Sequence, residues 1–499
     1  MSPRSALVRY HIEAAMVLTA PLAIAGAAGT GSIDHPVARN GAGQPYLPGT
    51  SLAGALRAGL PDFGLTEAEV DKLCGGSGEG GHASLLWVED ATLAAAVIEE
   101  RTGVGIDRVT GAAAPAILYN REVVGAGATT RIRLRVDAPG ATTETPPAVN
   151  ALAGLLTAGL TIGSGTTKGL GRIELADDET VEVRRLSFLS RSETLEALRG
   201  GSRIEAAPTD RTAEVMRFTI QWQPVGPVMV RANADGNAID DLPLVTHVAP
   251  ERLAFAIPGS SFKGVRAHAE KIVRTVLGTD ATSISTGRHD EFNQQLDVPL
   301  VHALFGRPAA QGPADGSGKA SAADQGKGAV RFSEARSSST FSRGAWLAIA
   351  DAARAKDVPR APATATGAAH PDDGVPSELD AVVRAVATAG FRQGEVEPGM
   401  HVAIDRWTGG ASESALFSSL EVRLQDWTPL IIELDAARLT RRLGGQAQTA
   451  FGAAVFLLLL TIRDFADGWI PIGFAVNRGY GSVCCPEPIV LDISCEFPC

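Results

Sequence analysis

The chain has 499 residues, 45% of them hydrophobic, and a net charge of −11, the balance of a globular protein too long for one ordinary core. That acidity counts against a nucleic-acid binder with an overall basic domain, but leaves room for a local basic groove. Five cysteines in this length fit a reducing compartment and not a disulfide scaffold, so a cytoplasmic protein without a membrane partner is expected.

The first predicted element is a strand from Val8 to Leu18. Residues 14–28 imitate a secretory leader, with Arg4 and Arg9 ahead of an apolar run. A similar stretch from Phe218 to Val230 lies mid-chain, so both read as a strand followed by a Gly-rich loop. The loop Gly31-Ser32-Ile33-Asp34-His35-Pro36 follows, then Pro48-Gly49-Thr50-Ser51 opening a helix to about Ala58. Leu85 to Val88 reads as a strand ending in Glu89-Asp90. Ile106-Asp107-Arg108-Val109-Thr110-Gly111 reads as a hairpin turn, and Thr129 to Val136 alternates at strand period. Asn150 to Leu160 reads as an amphipathic helix. The loop Gly163-Ser164-Gly165-Thr166-Thr167-Lys168-Gly169-Leu170-Gly171 leads into a strand from Ile173 to Leu175.

The order then repeats, and a repeat of this kind sets the whole architecture. A strand from Arg217 to Gln223 precedes Ile239-Asp240-Asp241, and Pro258-Gly259-Ser260-Ser261 opens a helix to about Leu277. Val330 to Ala335 answers Leu86 to Ala91. Ile404-Asp405-Arg406-Trp407-Thr408-Gly409 answers the hairpin turn, and Asn477-Arg478-Gly479-Tyr480-Gly481 answers the glycine loop. The apolar run Phe451 to Ile462 is shorter than the roughly 20 residues that span a bilayer, and reads as a buried helix. The expected fold class is therefore α+β: two tandem ferredoxin-like (RRM-like) domains with hairpin insertions. They span 1–205 and 212–499, with a connector ending at 206–211 that begins near Arg191. Low-complexity insertions near 307–328 and 355–377 lengthen the second.

Serine or threonine ahead of an apolar-periodic run caps a helix, and a glycine-preceded helix start also exposes amides that bind phosphate. Ser51 and Ser261 mark two such starts. Lys263, Arg266 and Arg274 recur at helical spacing and predict a basic face, whereas the first helix keeps only Arg57. The glycine loop 163–171 follows a helix and precedes a strand, which is the wrong context for a P-loop or a dinucleotide fingerprint. Its glycines let backbone pass close to an extended ligand, with Lys168 beside Gly169 adding charge. Arg478 and Tyr480 offer the same with an aromatic for stacking. Asp34, in a Gly-flanked loop before the helix start, could hold a divalent metal or act on an attacking hydroxyl. Asp240 is its positional match, with Asp241 and Asp235 as close alternatives. His35, His247 and His302 show no metal-ligand spacing. Cys484, Cys485, Cys495 and Cys499 crowd the C-terminus. A structural zinc site is one reading, against which the adjacent pair is poor chelate spacing; a strand with small buried thiols is the other.

These four motifs, in the same order twice, resemble the backbone subunit of type III CRISPR effector complexes, a RAMP superfamily protein, here with two copies fused in tandem. The resemblance implies a chain that stacks along guide RNA beside other effector subunits, using Ser51, Arg57, Lys168, Gly169, Ser261, Lys263, Arg266, Arg478 and Tyr480. It implies hairpin "thumbs", matching Ile106 to Val124 and Ile404 to Ser418, whose residues Asp107, Arg108, Thr110, Asp405, Arg406 and Trp407 interrupt the guide–target duplex. It implies Mg²⁺- or Mn²⁺-dependent cleavage of complementary target RNA beside Asp34 and Asp240, by attack of the target's own 2′-hydroxyl. The first copy lacks the lysine usual after its Pro-Gly-Thr-Ser turn. The second lacks the His-Pro-Val that follows Asp34, so cleavage at the two positions is expected to be unequal. A non-catalytic guide-binding scaffold and a guide-processing endoribonuclease are the other readings.

Overall fold

The computed structural model describes residues 7–26, 33–76, 81–138, 144–212, 214–232, 238–284, 289–307, 326–354 and 378–493. Gly31, Ser32, Asp235, Cys495, Cys499, residues 308–325 of the first low-complexity insertion and all of 355–377 lie outside them.

Each half is built on one antiparallel sheet. In the first half the opening strand Val8–Leu18 is central, because every second residue from Val8 to Leu18 is apolar and buried. It pairs with Thr129–Ala138 on one side and Glu182–Ser187 on the other, and Leu86–Val88 completes the sheet beyond Thr129–Ala138. Counted along the chain, these strands lie in the order four, one, three, two. The second half repeats that order with Val490–Ile493, Val215–Ile220, Leu430–Asp435 and Val330–Phe332. That order is the ferredoxin-like arrangement, with helices Gly49–Gly59 and Pro147–Thr157 crossing the first sheet and Arg266–Leu277 and Ala447–Ala466 their counterparts in the second.

Three sequence expectations shift. Residues from Arg191 are not linker: Arg191–Leu198 is a helix capped by Ser190, and Ser202–Ile204 adds an edge strand to the first sheet. The hairpins are longer than their turns suggest. Ile98–Ile106 pairs with Ala113–Val124, and Val396–Ile404 with Ala411–Val422. Their first arms carry glycine or proline and few buried apolar residues, so no strand period marks them. The apolar run near Phe451 belongs to a 20-residue helix, Ala447–Ala466. Within the continuous helical stretch Ala436–Ala466 that segment is long and apolar enough to cross a bilayer, with a mean hydropathy of 1.6. Its face Leu457, Leu458, Ile462 and Phe465 nevertheless packs into the second core, as that of a core helix does.

The halves dock through the first hairpin. Arg101 is buried and bridges Glu99 at 2.8 Å and Glu334 of the second half at 3.0 Å, while donating to Thr246. Glu99 also accepts from the backbone and ring nitrogens of His247. At the hairpin turn Arg108 meets Glu270 at 2.5 Å and Asp107 accepts from Gln295.

Candidate nucleic-acid interface

Asp34 and Asp240 occupy the same place in the two halves. Asp34 is exposed, and its Oδ2 accepts the Asn120 amide at 2.8 Å. Asp240 is exposed, and its Oδ2 accepts the Ser418 amide at 2.7 Å. Asn120 and Ser418 are equivalent positions in the second arms of the two hairpins. The residues that follow bridge the same arms in parallel, His35 to Arg121 and Asp241 to Ser419. Asp240 is therefore the counterpart of Asp34. Asp241 is buried and paired with Arg231 at 2.6 Å.

Aromatic and cationic groups flank both carboxylates. Tyr119, next to Asn120, lies edge-on to His35, with the Arg121 guanidinium 5.1 Å from its ring centre. Phe417, at the matching position, stacks on His401 and carries Arg478 at 4.4 Å. Sequence reasoning missed these aromatics because each sits on a hairpin arm that only folding brings beside the aspartate.

Among the described residues, no three His, Cys, Asp or Glu side chains gather as a metal site. A lone exposed carboxylate with one oxygen on an amide fits a hard cation only as a partial shell, the remaining ligands being water and phosphate oxygens, as Mg²⁺ commonly has. Burial, then the neighbouring Cys484 and Asp467, push the Cys485 thiol up to about 11, and its proposed partners Cys495 and Cys499 lie outside the described residues.

Several residues expected to face RNA have protein partners instead. The first helix start is already occupied by an anion: the Gly49 amide donates to the Asp90 carboxylate at 2.6 Å. Ser51 is half-buried on the wall of a cleft between the halves. Arg57 is held by Asp71 and the Gly75 carbonyl. Arg266 donates to Glu270 and to the carbonyls of Gly306 and Leu296, and Arg274 to those of Asp280 and Gln295, so this helix lacks the basic face expected of it. The Arg266–Glu270 spacing of four was a readable sign of that pairing. Ser261 lies in the short helix Gly259–Phe262 that leads into the same helix, where Gly259 lies against the Lys168 carbonyl. Lys263 is buried, donating to Thr167 of the first half at 2.8 Å; burial, then Lys168 and Arg266, lower it to about 7.

Tyr480 is buried as well, not free to stack on a base. Its hydroxyl donates to Glu421 at 2.5 Å and contacts His401 and Ser419. Burial and the bond to Glu421 push it up to about 12. Arg478 remains exposed and Lys168 half-buried. Gly169, at φ +82°, is where the first glycine loop meets the backbone of Ser333–Glu334. The hairpin turns differ in the same way. Asp107, bonded to Thr110 and Gln295, and Arg108 are docked, whereas Asp405 caps its own turn beside Arg406, and Trp407 is 95% exposed.

Each of two ferredoxin-like units joined in tandem carries a long hairpin, a glycine loop and a loop aspartate. The RAMP superfamily profile matches residues 16–174 and 254–484, one region in each half, and the chain belongs to that superfamily as a tandem fusion. Membership places it among CRISPR-associated subunits that bind CRISPR RNA and further subunits of a complex. No curated protein matches the sequence.

Proposed function

We propose that this chain is a two-unit backbone subunit of a cytoplasmic type III CRISPR complex, which binds guide RNA and cuts complementary target RNA beside Asp34 and Asp240. The observation that carries this reading is the repeated placement of an exposed carboxylate with one oxygen on a hairpin amide, next to a hairpin residue whose aromatic ring carries a cation. A strand of RNA lying along each hairpin would stack on Tyr119 or Phe417 and place phosphates near Arg121 or Arg478. The amide bond fixes the carboxylate's orientation, leaving its other oxygen to orient the attacking 2′-hydroxyl. That hydroxyl attacks its own 3′-phosphorus. The bond to the next nucleotide's 5′-oxygen breaks, leaving a 2′,3′-cyclic phosphate and a 5′-hydroxyl. A bound Mg²⁺ or Mn²⁺ would supply charge neutralisation at the phosphate.

Among the described residues no group of three or more acidic, imidazole or thiol side chains gathers at either aspartate, which favours a pure scaffold as the alternative. The test is the assembled complex with guide, complementary RNA and Mg²⁺. Asp34→Asn is expected to lower cutting at one position by about 100-fold or more, and Asp240→Asn at the other, with RNA binding retained. A double variant that cuts at the wild-type positions and rate overturns the catalytic assignment.

A further inference from the structure

Between the halves lies a cleft of about 660 Å³. One wall is the outer face of helix Gly49–Gly59 with the first glycine loop; the other is the open face of the second sheet. Six cationic side chains line it: Arg172, Arg211, Arg217, Lys327, Arg331 and Arg438. Three carboxylates face them and Glu174 pairs with Arg172 at 2.9 Å, so that among the described residues only Lys327 of the six is without an acid partner. Asp62 holds Arg211 at 3.3 Å, Glu433 is shared by Arg217 at 2.7 Å and Arg331 at 3.3 Å, and Asp435 stands 3.6 Å from Arg438. Lys327 makes no ion pair among the described residues. Lys327 itself is exposed, with Arg438 and Arg331 as its charged neighbours. Burial lowers Arg331; Glu433 opposes that, while Arg172, Arg211 and Arg438 add to it.

Excess positive charge gathered in a partly closed cleft is costly by itself, the more conspicuously in a chain of net charge −11. An anion entering the cleft relieves that cost, and guanidinium forks suit phosphate oxygens. The volume lies within the range of ordinary ligand sites. Arg211 belongs to the segment joining the halves, so the full set of cations exists only in the fused chain.

We infer that this cleft binds a phosphate-rich anion carrying at least two phosphate groups, either a free polyphosphate or a stretch of RNA backbone. The inference rests on RNA binding only in its second form, and on cleavage in neither.

The test uses the full isolated chain and its Lys327→Glu and Arg331→Gln variants, with circular dichroism to verify folding. Two probes are applied: thermal protection by inorganic triphosphate, and the salt dependence of binding to a single-stranded RNA decamer. A free-polyphosphate site gives wild-type protection by triphosphate that Lys327→Glu abolishes, with the RNA salt slope unchanged. An RNA-backbone site gives a salt slope reduced by about 0.7 for each contact removed. No protection by triphosphate together with an unchanged slope overturns the inference. If Arg331→Gln does not fold, Lys327→Glu still decides, because Lys327 has no ion pair to lose. The outcome is separate from that of Asp34→Asn and Asp240→Asn, which report on cutting.

Discussion

Lys263 illustrates how a residue can be recognised correctly as part of a motif and misread as to its surroundings. The turn before it predicts a helix start, and the structure has one, but the ammonium points into the junction with Thr167 and not into solvent. A folded-state affinity lowered to about 7 lies below that of the unfolded lysine, 10.5. Below pH 7 both states carry the proton and the cost of burying charge is complete. Between pH 7 and 10.5 the unfolded chain holds more protons, so stability rises with pH. Lys263→Met, which keeps the volume and removes the charge, is expected to raise the melting temperature at pH 7 and to flatten the rise towards pH 10. A melting series across that range checks both. Tyr480 was misread for a related reason: Glu421 lies 59 residues away in sequence, and only the hairpin brings it to the hydroxyl. The matched positions of Asp34 and Asp240 were legible because their loops sit in a recurring order of turns, and a repeated order survives without knowledge of partners.

At the scale of elements, turn chemistry carried most of the readable signal. The glycine loops, the Pro-Gly-Ser starts and the hairpin turns all lie where their residues demanded. The hairpin arms were not readable, because Ile98–Ile106 and Val396–Ile404 stand away from the sheets and bury little. Equivalent elements also meet unequal surroundings, and two matched glycines expose this. Gly169 and Gly479 both have positive φ, +82° and +89°. A Cβ on Gly169 would come within 2.6 Å of the Glu334 backbone nitrogen, whereas one on Gly479 would meet nothing within 4 Å. Alanine at either position pays about 1–2 kcal/mol for left-handed backbone. Gly169→Ala adds a clash with main chain that cannot rotate away, so it is expected to destabilise the isolated chain by about 1–3 kcal/mol more than Gly479→Ala. Denaturant titration of the two variants side by side measures the difference, and equal losses would show that the loop does not hold the halves together.

For the whole molecule, the internal junction shows what the free end lacks. The first hairpin is fastened at its base by Arg101 between Glu99 and Glu334, and at its turn by Arg108 on Glu270. Burial alone would raise Glu99, but Arg101 and the bonds from His247 outweigh it and hold the carboxyl near 2. A depressed folded value means that its contribution is complete above about 4.5 and is lost as pH falls towards 2, so the junction is expected to loosen over that acid range in a pH titration of unfolding. The turn of the second hairpin has no such ion pair among the described residues, although Glu421 lower on its arm accepts from Tyr480. That turn presents Trp407 at 95% exposure, and Met400, Val402 and Ile404 are exposed along the hairpin's first arm. Exposed aromatics of this kind stabilise a monomer little but are common anchors of interfaces. Trp407→Ala is therefore expected to leave the melting temperature of the isolated chain unchanged, within about 0.5 kcal/mol of stability. In the assembled complex, where a further subunit would meet this hairpin as the second half meets the first, the same substitution is expected to weaken association by about 2 kcal/mol, roughly 30-fold. Binding of the variant to its neighbouring subunits, measured with guide RNA present and absent, separates protein contact from contact through RNA. Undiminished assembly in both conditions would mean that the second hairpin ends the stack and makes no subunit contact.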